Sequence, residues 1–234
     1  MLKGAKNISL YSNICKPAKF VMSYPLLKLI GHEIAISHWS NETKTIFWAA
    51  CCLAFFGSFR LGEILPKNDK TSPETLTWSN VSFEKKNSAV INIKFPKIIH
   101  NPKGDFIDIF KINNCPCCPF TALKNLRDLN HENVEKNYPV FLMKNGKNLT
   151  PKLFSETVVL ILKKHIGENA KKFSGHSFRA GIPAALANHP DLANDSDIMT
   201  WGRWSSDSFK SYTRLKHHAK LSIFRKILSV LDLK

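Results

Sequence analysis

Gly57-Ser58-Phe59-Arg60-Leu61-Gly62-Glu63 divides the chain into a helical part and a sheet part. Upstream, Phe47 to Phe56 is continuously apolar apart from two cysteines, and a helix from about Glu42 to Ser58 is expected to sit at the centre of the core. Gly57 is placed to end or bend it. Downstream, a short helix is expected to carry Arg60 to Leu65 and to stop at Pro66. The period then changes from helical to alternating. Thr77 to Phe83 and Ala89 to Phe95 read as strands joined by a Lys85-Lys86-Asn87-Ser88 turn, and Asp105 to Phe110 reads as a third. This predicts a small three-stranded antiparallel sheet in a mostly helical α+β fold.

Helical signals lie on both sides. Pro25 to Ser37 carries apolar residues at helical spacing, and Pro119 to Leu129 is another helix. Thr150-Pro151 is an N-cap followed by proline at the first helical position, opening a helix to about His165. His176 to Asn188, Asp197 to Trp201 with Gly202 as its stop, and Ser206 to Tyr212 follow. Leu221, Phe224, Leu228 and Leu231 form an apolar stripe on a last helix. Packing on its own core and docking on a second copy of the chain both fit that stripe.

Composition narrows the partner. The chain has 234 residues, 34 Lys and Arg against 18 Asp and Glu, and a net charge of +16. A folded domain this basic meets a polyanion, and double-stranded DNA is the default expectation. Hydrophobic content of 44% suits an ordinary core. No apolar run approaches a membrane span, and Met1 to Phe20 lacks a signal-peptide stretch. The expected location is therefore the nucleus in a eukaryote and the cytoplasm otherwise, with no membrane partner. The six cysteines then read as reduced thiols. Cys115-Pro116-Cys117-Cys118 invites a zinc reading, but further ligands at zinc-finger spacing are missing, which favours a loop-to-helix junction. No metal or cofactor is expected.

The residues that carry chemistry come in a fixed order: Arg60, then His176 and Arg179 in Gly175-His176-Ser177-Phe178-Arg179, then Trp204 and Tyr212. Guanidinium forks match phosphate oxygens bidentately, and a tyrosine hydroxyl is an oxygen nucleophile. The set suits one phosphodiester, held and attacked by protein groups alone. His176 and Arg179, three apart, are expected on one helix face.

In this order the residues resemble the tyrosine recombinase (phage integrase) family, in the style carried by eukaryotic mobile elements of the Crypton or DIRS kind. Arg60 with Glu63 matches its first motif, His176-x-x-Arg179 its second, and Gly202-Arg203-Trp204 followed by Tyr212 its third. The resemblance covers residues 20 to 234, so a short extension (1–20) is expected before a catalytic domain (21–234). It implies DNA cleavage and rejoining through a 3′-phosphotyrosine, with a lysine on the sheet's hairpin protonating the leaving 5′-hydroxyl. Lys97 is the first choice for that lysine, and Lys94 and Lys103 are the alternatives. Arg60 and Arg179 would neutralise the phosphate, and His176 would bond a phosphate oxygen or accept the tyrosine proton. Trp204 is the preferred third donor by chemistry, and Arg203 by spacing. Glu63 would orient Arg60. The family's separate DNA-clamping domain has no counterpart in residues 1 to 20. Its lack leaves open a domesticated or truncated DNA-binding protein of the same fold without productive recombination. A type IB topoisomerase shares the chemistry and is the third reading.

Overall fold

The computed structural model describes residues 20–68, 72–94, 104–189, 191–203 and 217–233. Its helices start where side chains replace missing backbone partners. Ser23 caps α1 (Tyr24–Ile36) through the Leu26 N–H, and Ser40 caps α2 (Asn41–Phe56) through the Thr43 N–H. α2 ends at Gly57. Every residue from Ala49 to Phe56 is buried, because α1 packs on one side of α2 and later helices enclose the rest. α3 is shorter than expected, Leu61–Ile64, with Arg60 as its N-cap and Leu65 already extended.

The sheet comprises β1 (Val81–Lys85), β2 (Ser88–Ile93) and β3 (Asp105–Phe110), antiparallel and in that order. β2 and β3 pair from Ser88↔Phe110 to Ile93↔Asp105, which turns Ala89, Ile91, Ile93, Ile107 and Ile109 into the core. The expected first strand, Thr77 to Phe83, is half 3-10 turn (Trp78–Asn80). Asn80 Oδ1 accepts the Thr77 N–H at 3.1 Å, and this local bond displaces the ladder there.

α4 (Pro119–Leu129) starts behind a Cys118 cap, α5 (His131–Glu135) follows, and Thr150 caps α6 (Pro151–Ile166) through the Leu153 N–H. The single helix expected over His176 to Asn188 is two, α7 (Gly175–Arg179) and α8 (Gly181–Ala187). Pro183 has no N–H for the Arg179 carbonyl and its ring crowds that oxygen, so the ladder breaks between them. α9 spans Asp195–Gly202, starting two residues before the expected Asp197, and Asn194 caps it. The expected Ser206 to Tyr212 helix lies outside the described residues.

α10 (His217–Val230) folds back onto this chain's own core. Its deepest residues are Ile223, Phe224 and Ile227, while Leu221, Leu228 and Leu231 are only partly buried. The Phe224 ring lies 4.9 Å from Phe110 and 6.4 Å from Trp201, tying sheet, α9 and α10 together. No described helix is long and apolar enough to cross a membrane.

Candidate active site

The two arginines of the sequence pattern lie 119 positions apart, and a glycine lets their elements meet. A Cβ on Gly175 would stand 2.3 Å from Leu61 Cδ1, so the start of α7 abuts the start of α3 only because Gly175 has no side chain. Arg60 then precedes α3 while Arg179 closes α7.

Between them sits Glu63. Its carboxylate accepts the Arg60 backbone N–H at 2.9 Å and Arg60 Nη1 at 2.8 Å. It also accepts Arg203 Nη2 at 2.7 Å, and Arg179 Nη1 stands 3.9 Å away. Glu63 therefore pairs with Arg60, three residues before it, and also faces two guanidinium groups from distant segments. Burial opposes its ionisation, yet the Arg203 charge and the hydrogen bonds from Arg203 and Arg60 hold its carboxyl below the usual range.

Arg179 is buried, and its donors meet backbone oxygens. Nη1 bonds the Ser58 carbonyl at 2.5 Å and Nη2 the Gly202 carbonyl at 2.6 Å. Burial, then repulsion from Arg203 and Arg60, pushes its pKa down to about 10, so it stays charged at neutral pH. Ser58 presents its carbonyl from a left-handed conformation at φ 46°, an uncommon state for a residue with a side chain. The same oxygen accepts Arg203 Nη2 at 2.9 Å. Two cations on one carbonyl hold the strained turn in place.

Arg203 also departs from ideal helix ending. Gly202 was the expected stop, but the left-handed cap falls on Arg203 at φ 52°. That turn points its guanidinium inward, over the Phe59 ring at 5.0 Å and onto Glu63. Beside it, Trp201 Nε1 donates to the Phe56 carbonyl at 3.0 Å. Three contacts thus anchor the end of α9 to the turn before Arg60.

Of the other expected site residues, His176 lies in α7 with its side chain exposed, whereas Arg179 is buried, so the shared helix face does not give them equal access to solvent. Lys94 lies at the end of β2, exposed, in a cleft that Gly62, Glu63 and Asn92 also line. Lys97, Lys103, Trp204 and Tyr212 lie outside the described residues. Among the described residues no group of three or more His, Cys, Asp or Glu could hold a metal ion.

Neither a protein-family model nor a curated protein sequence matches the chain. Solved structures do. The chain superposes on the XerH site-specific recombinase bound to its difH substrate in a pre-cleavage complex, with a TM-score of 0.53, 14% identity, and coverage of 86% of this chain and 52% of that one. It also superposes on the post-cleavage complex with palindromic difH, at a TM-score of 0.50 and 14% identity, over 88% of this chain and 52% of that one. The chain therefore has an α+β recombinase fold and spans about half the length of these structures. At this identity the likeness carries the fold alone.

Proposed function

We propose that this protein binds double-stranded DNA and cleaves and rejoins one strand through a covalent tyrosine–phosphate intermediate. The observation that carries the reading is the meeting of Arg60 and Arg179 across Glu63, on a recombinase fold, with His176 on the same short helix as Arg179. Arg60, its side chain 34% exposed, is the guanidinium that reaches a phosphate from solvent. Arg179 adds positive charge from beneath, where a low dielectric strengthens it. Together they stabilise the charge that builds on the phosphate oxygens during attack. His176 bonds one of those oxygens or accepts the proton of the attacking hydroxyl. Tyr212 is the nucleophile and Trp204 a further donor. Lys97, or failing it Lys94 or Lys103, protonates the departing 5′-oxygen. Residues 21–234 form the catalytic unit, and the spelling of its motifs fits a mobile-element recombinase.

The test is a nicked duplex that traps the cleaved state because a short fragment diffuses away. The chain is expected to form a DNA adduct stable to detergent. Tyr212→Phe removes one oxygen and leaves the ring, so it should bind DNA like the parent and form no adduct. An adduct in that variant would displace Tyr212 as nucleophile. A parent that binds DNA and forms no adduct supports the second reading, a DNA-binding protein of the same fold. One observation favours that reading: donors of Arg179 and Arg203 are held by protein oxygens at Ser58, Gly202 and Glu63.

A further inference from the structure

Away from the arginines, the loop that follows β3 brings several sulfurs together. Cys115, Cys117 and Cys118 come from that loop, and Cys52 reaches them from the buried face of α2. All four are free thiols. Their surroundings differ. Cys118 is buried, and its sulfur accepts the backbone N–H groups of Ile112 at 3.2 Å and Thr121 at 3.4 Å, which makes it part of the α4 cap. Cys51 and Cys52 are fully buried in apolar surroundings, which pushes both thiols up.

Cys115 is the exception. It is half-exposed, in a shallow open depression lined by Lys111, Asn113, Asn114, Pro116 and Thr121. The Tyr24 hydroxyl from α1 stands 3.4 Å from its sulfur. Lys28, one turn further along α1, lies 5.1 Å from the Tyr24 ring centroid and adds positive charge on the same side. Cys117, two residues on, is buried, and its thiol and that of Cys115 influence each other's ionisation. Asn114, just before Cys115, holds a left-handed φ of 54°. One sulfur therefore reaches solvent with a tyrosine hydroxyl at hydrogen-bond distance, a cation nearby and a second thiol two residues along the same loop.

The geometry points to Cys115 as a reactive thiol that takes hydroperoxides, with Cys117 as the resolving thiol that closes a reversible disulfide. The Cys115 thiolate attacks one peroxide oxygen. A sulfur–oxygen bond forms and the oxygen–oxygen bond breaks, leaving Cys115 as a sulfenic acid. The other oxygen departs as hydroxide or alkoxide and takes a proton from solvent. The Cys117 thiol then attacks the Cys115 sulfur. The sulfur–sulfur bond forms, and the hydroxyl leaves as water with the Cys117 proton. Cys115 and Cys117 together lose two electrons and the peroxide gains them. A ring closed over one intervening residue is strained, which favours its reduction by ordinary dithiols.

Charge supports the same assignment. The Cys117 hydrogen bond, with those of Tyr24 and the Lys28 charge, lowers the Cys115 pKa to about 6 against the opposing effect of burial, while Cys117 itself is raised. Cys115 is thus the thiolate of the pair at neutral pH, and Cys117 keeps the proton that the second step releases.

The experiment alkylates the reduced chain with iodoacetamide across pH and identifies the modified cysteines by mass spectrometry. A peptide spanning residues 111–121, with serine at 117 and 118, is the reference. Cys115 is expected to react first, with its rate levelling off near pH 6, well below the pH at which the peptide's does. Brief exposure to hydrogen peroxide should then give a Cys115–Cys117 disulfide that dithiothreitol reverses. Cys117→Ser should instead leave a sulfenic acid at Cys115 that dimedone traps. The same pH profile for Cys115 in chain and peptide overturns the proposal, as does peroxide oxidation of Cys118 or Cys15 with Cys115 intact. The alkylation profile needs no variant, so a Cys117→Ser chain that fails to fold leaves the proposal testable.

Discussion

Glu63 is the residue on which the candidate site depends. Its single carboxylate faces three guanidinium groups at a position that is 4% exposed, so the cluster keeps a net positive charge. Glu63→Gln keeps the shape and removes the charge, leaving Arg179 buried without its counter-ion. A loss of about 3 kcal/mol is expected, since breaking a buried pair strands the partner charge. Urea unfolding measures it. Because the folded pKa of Glu63 is lowered, its contribution is complete above the ordinary carboxylate value of 4.5 and fades as pH falls through the lower folded value. The gap between parent and variant should therefore hold through neutral pH and narrow only in acid. A gap unchanged into strong acid would show that packing, not charge, made the difference. The sequence carried half of this arrangement. Arg60 and Glu63 are three apart, and a local pair can be read from spacing. Arg203 meets Glu63 across 140 positions, and nothing in Trp201-Gly202-Arg203-Trp204 says that the left-handed turn falls on arginine and not on the glycine before it.

Among the elements, α3 and α7 bring the two arginines together. Gly175→Ala inserts a methyl where Leu61 already stands, with Cδ1 at 2.3 Å and Cγ at 2.4 Å. Leu61 is nearly buried and has little room to turn. The expected result is a loss of about 1–3 kcal/mol by overpacking, with DNA cleavage reduced more than DNA binding. A variant with parental stability and parental adduct yield would show that the helices tolerate the separation. α10 invites the opposite change. Ile227→Ala removes a side chain only 1% exposed and should cost about 3 kcal/mol, whereas Leu221→Ala, at the margin, should cost clearly less. Thermal or urea unfolding ranks the two. Periodicity located this helix and chose Phe224 correctly, but it missed Ile223 and Ile227, because a stripe read from leucines does not reveal which edge meets the core. The same limit explains the α7–α8 break. Pro183 cannot donate to the Arg179 carbonyl, but it sits inside a stretch whose helical spacing continues on both sides, so spacing alone runs the two helices into one. By contrast β3, α4 and the start of α6 were legible to the residue, since proline and alternating apolar residues act locally and no distant contact overrides them.

At the scale of the whole molecule the excess of base is what a partner meets. Thirty-four Lys and Arg face 18 Asp and Glu. Among the described residues several acids are engaged within the chain: Glu33 holds Lys164, Glu74 holds Lys67, Glu168 holds Lys163 and Lys171, and Asp197 holds Lys226. Such surface pairs add little stability, but they leave the remaining cations to set the field around the protein. DNA binding should then release counterions in proportion to the phosphates covered. A footprint of about four phosphates weakens binding roughly a hundredfold between about 50 and 200 mM salt. The measurement is a fluorescence-anisotropy titration at several salt concentrations, with the slope of log affinity against log salt as the readout. Glu63→Gln sharpens it. If Arg60 contacts a phosphate while Arg179 lies beneath, the lost carboxylate changes the slope by less than one phosphate, because no cation is added or removed at the surface. If the variant's slope steepens by one phosphate or more, guanidinium groups held inside the parent have turned outward to the DNA. A parental slope near zero would remove nucleic acid as the partner altogether.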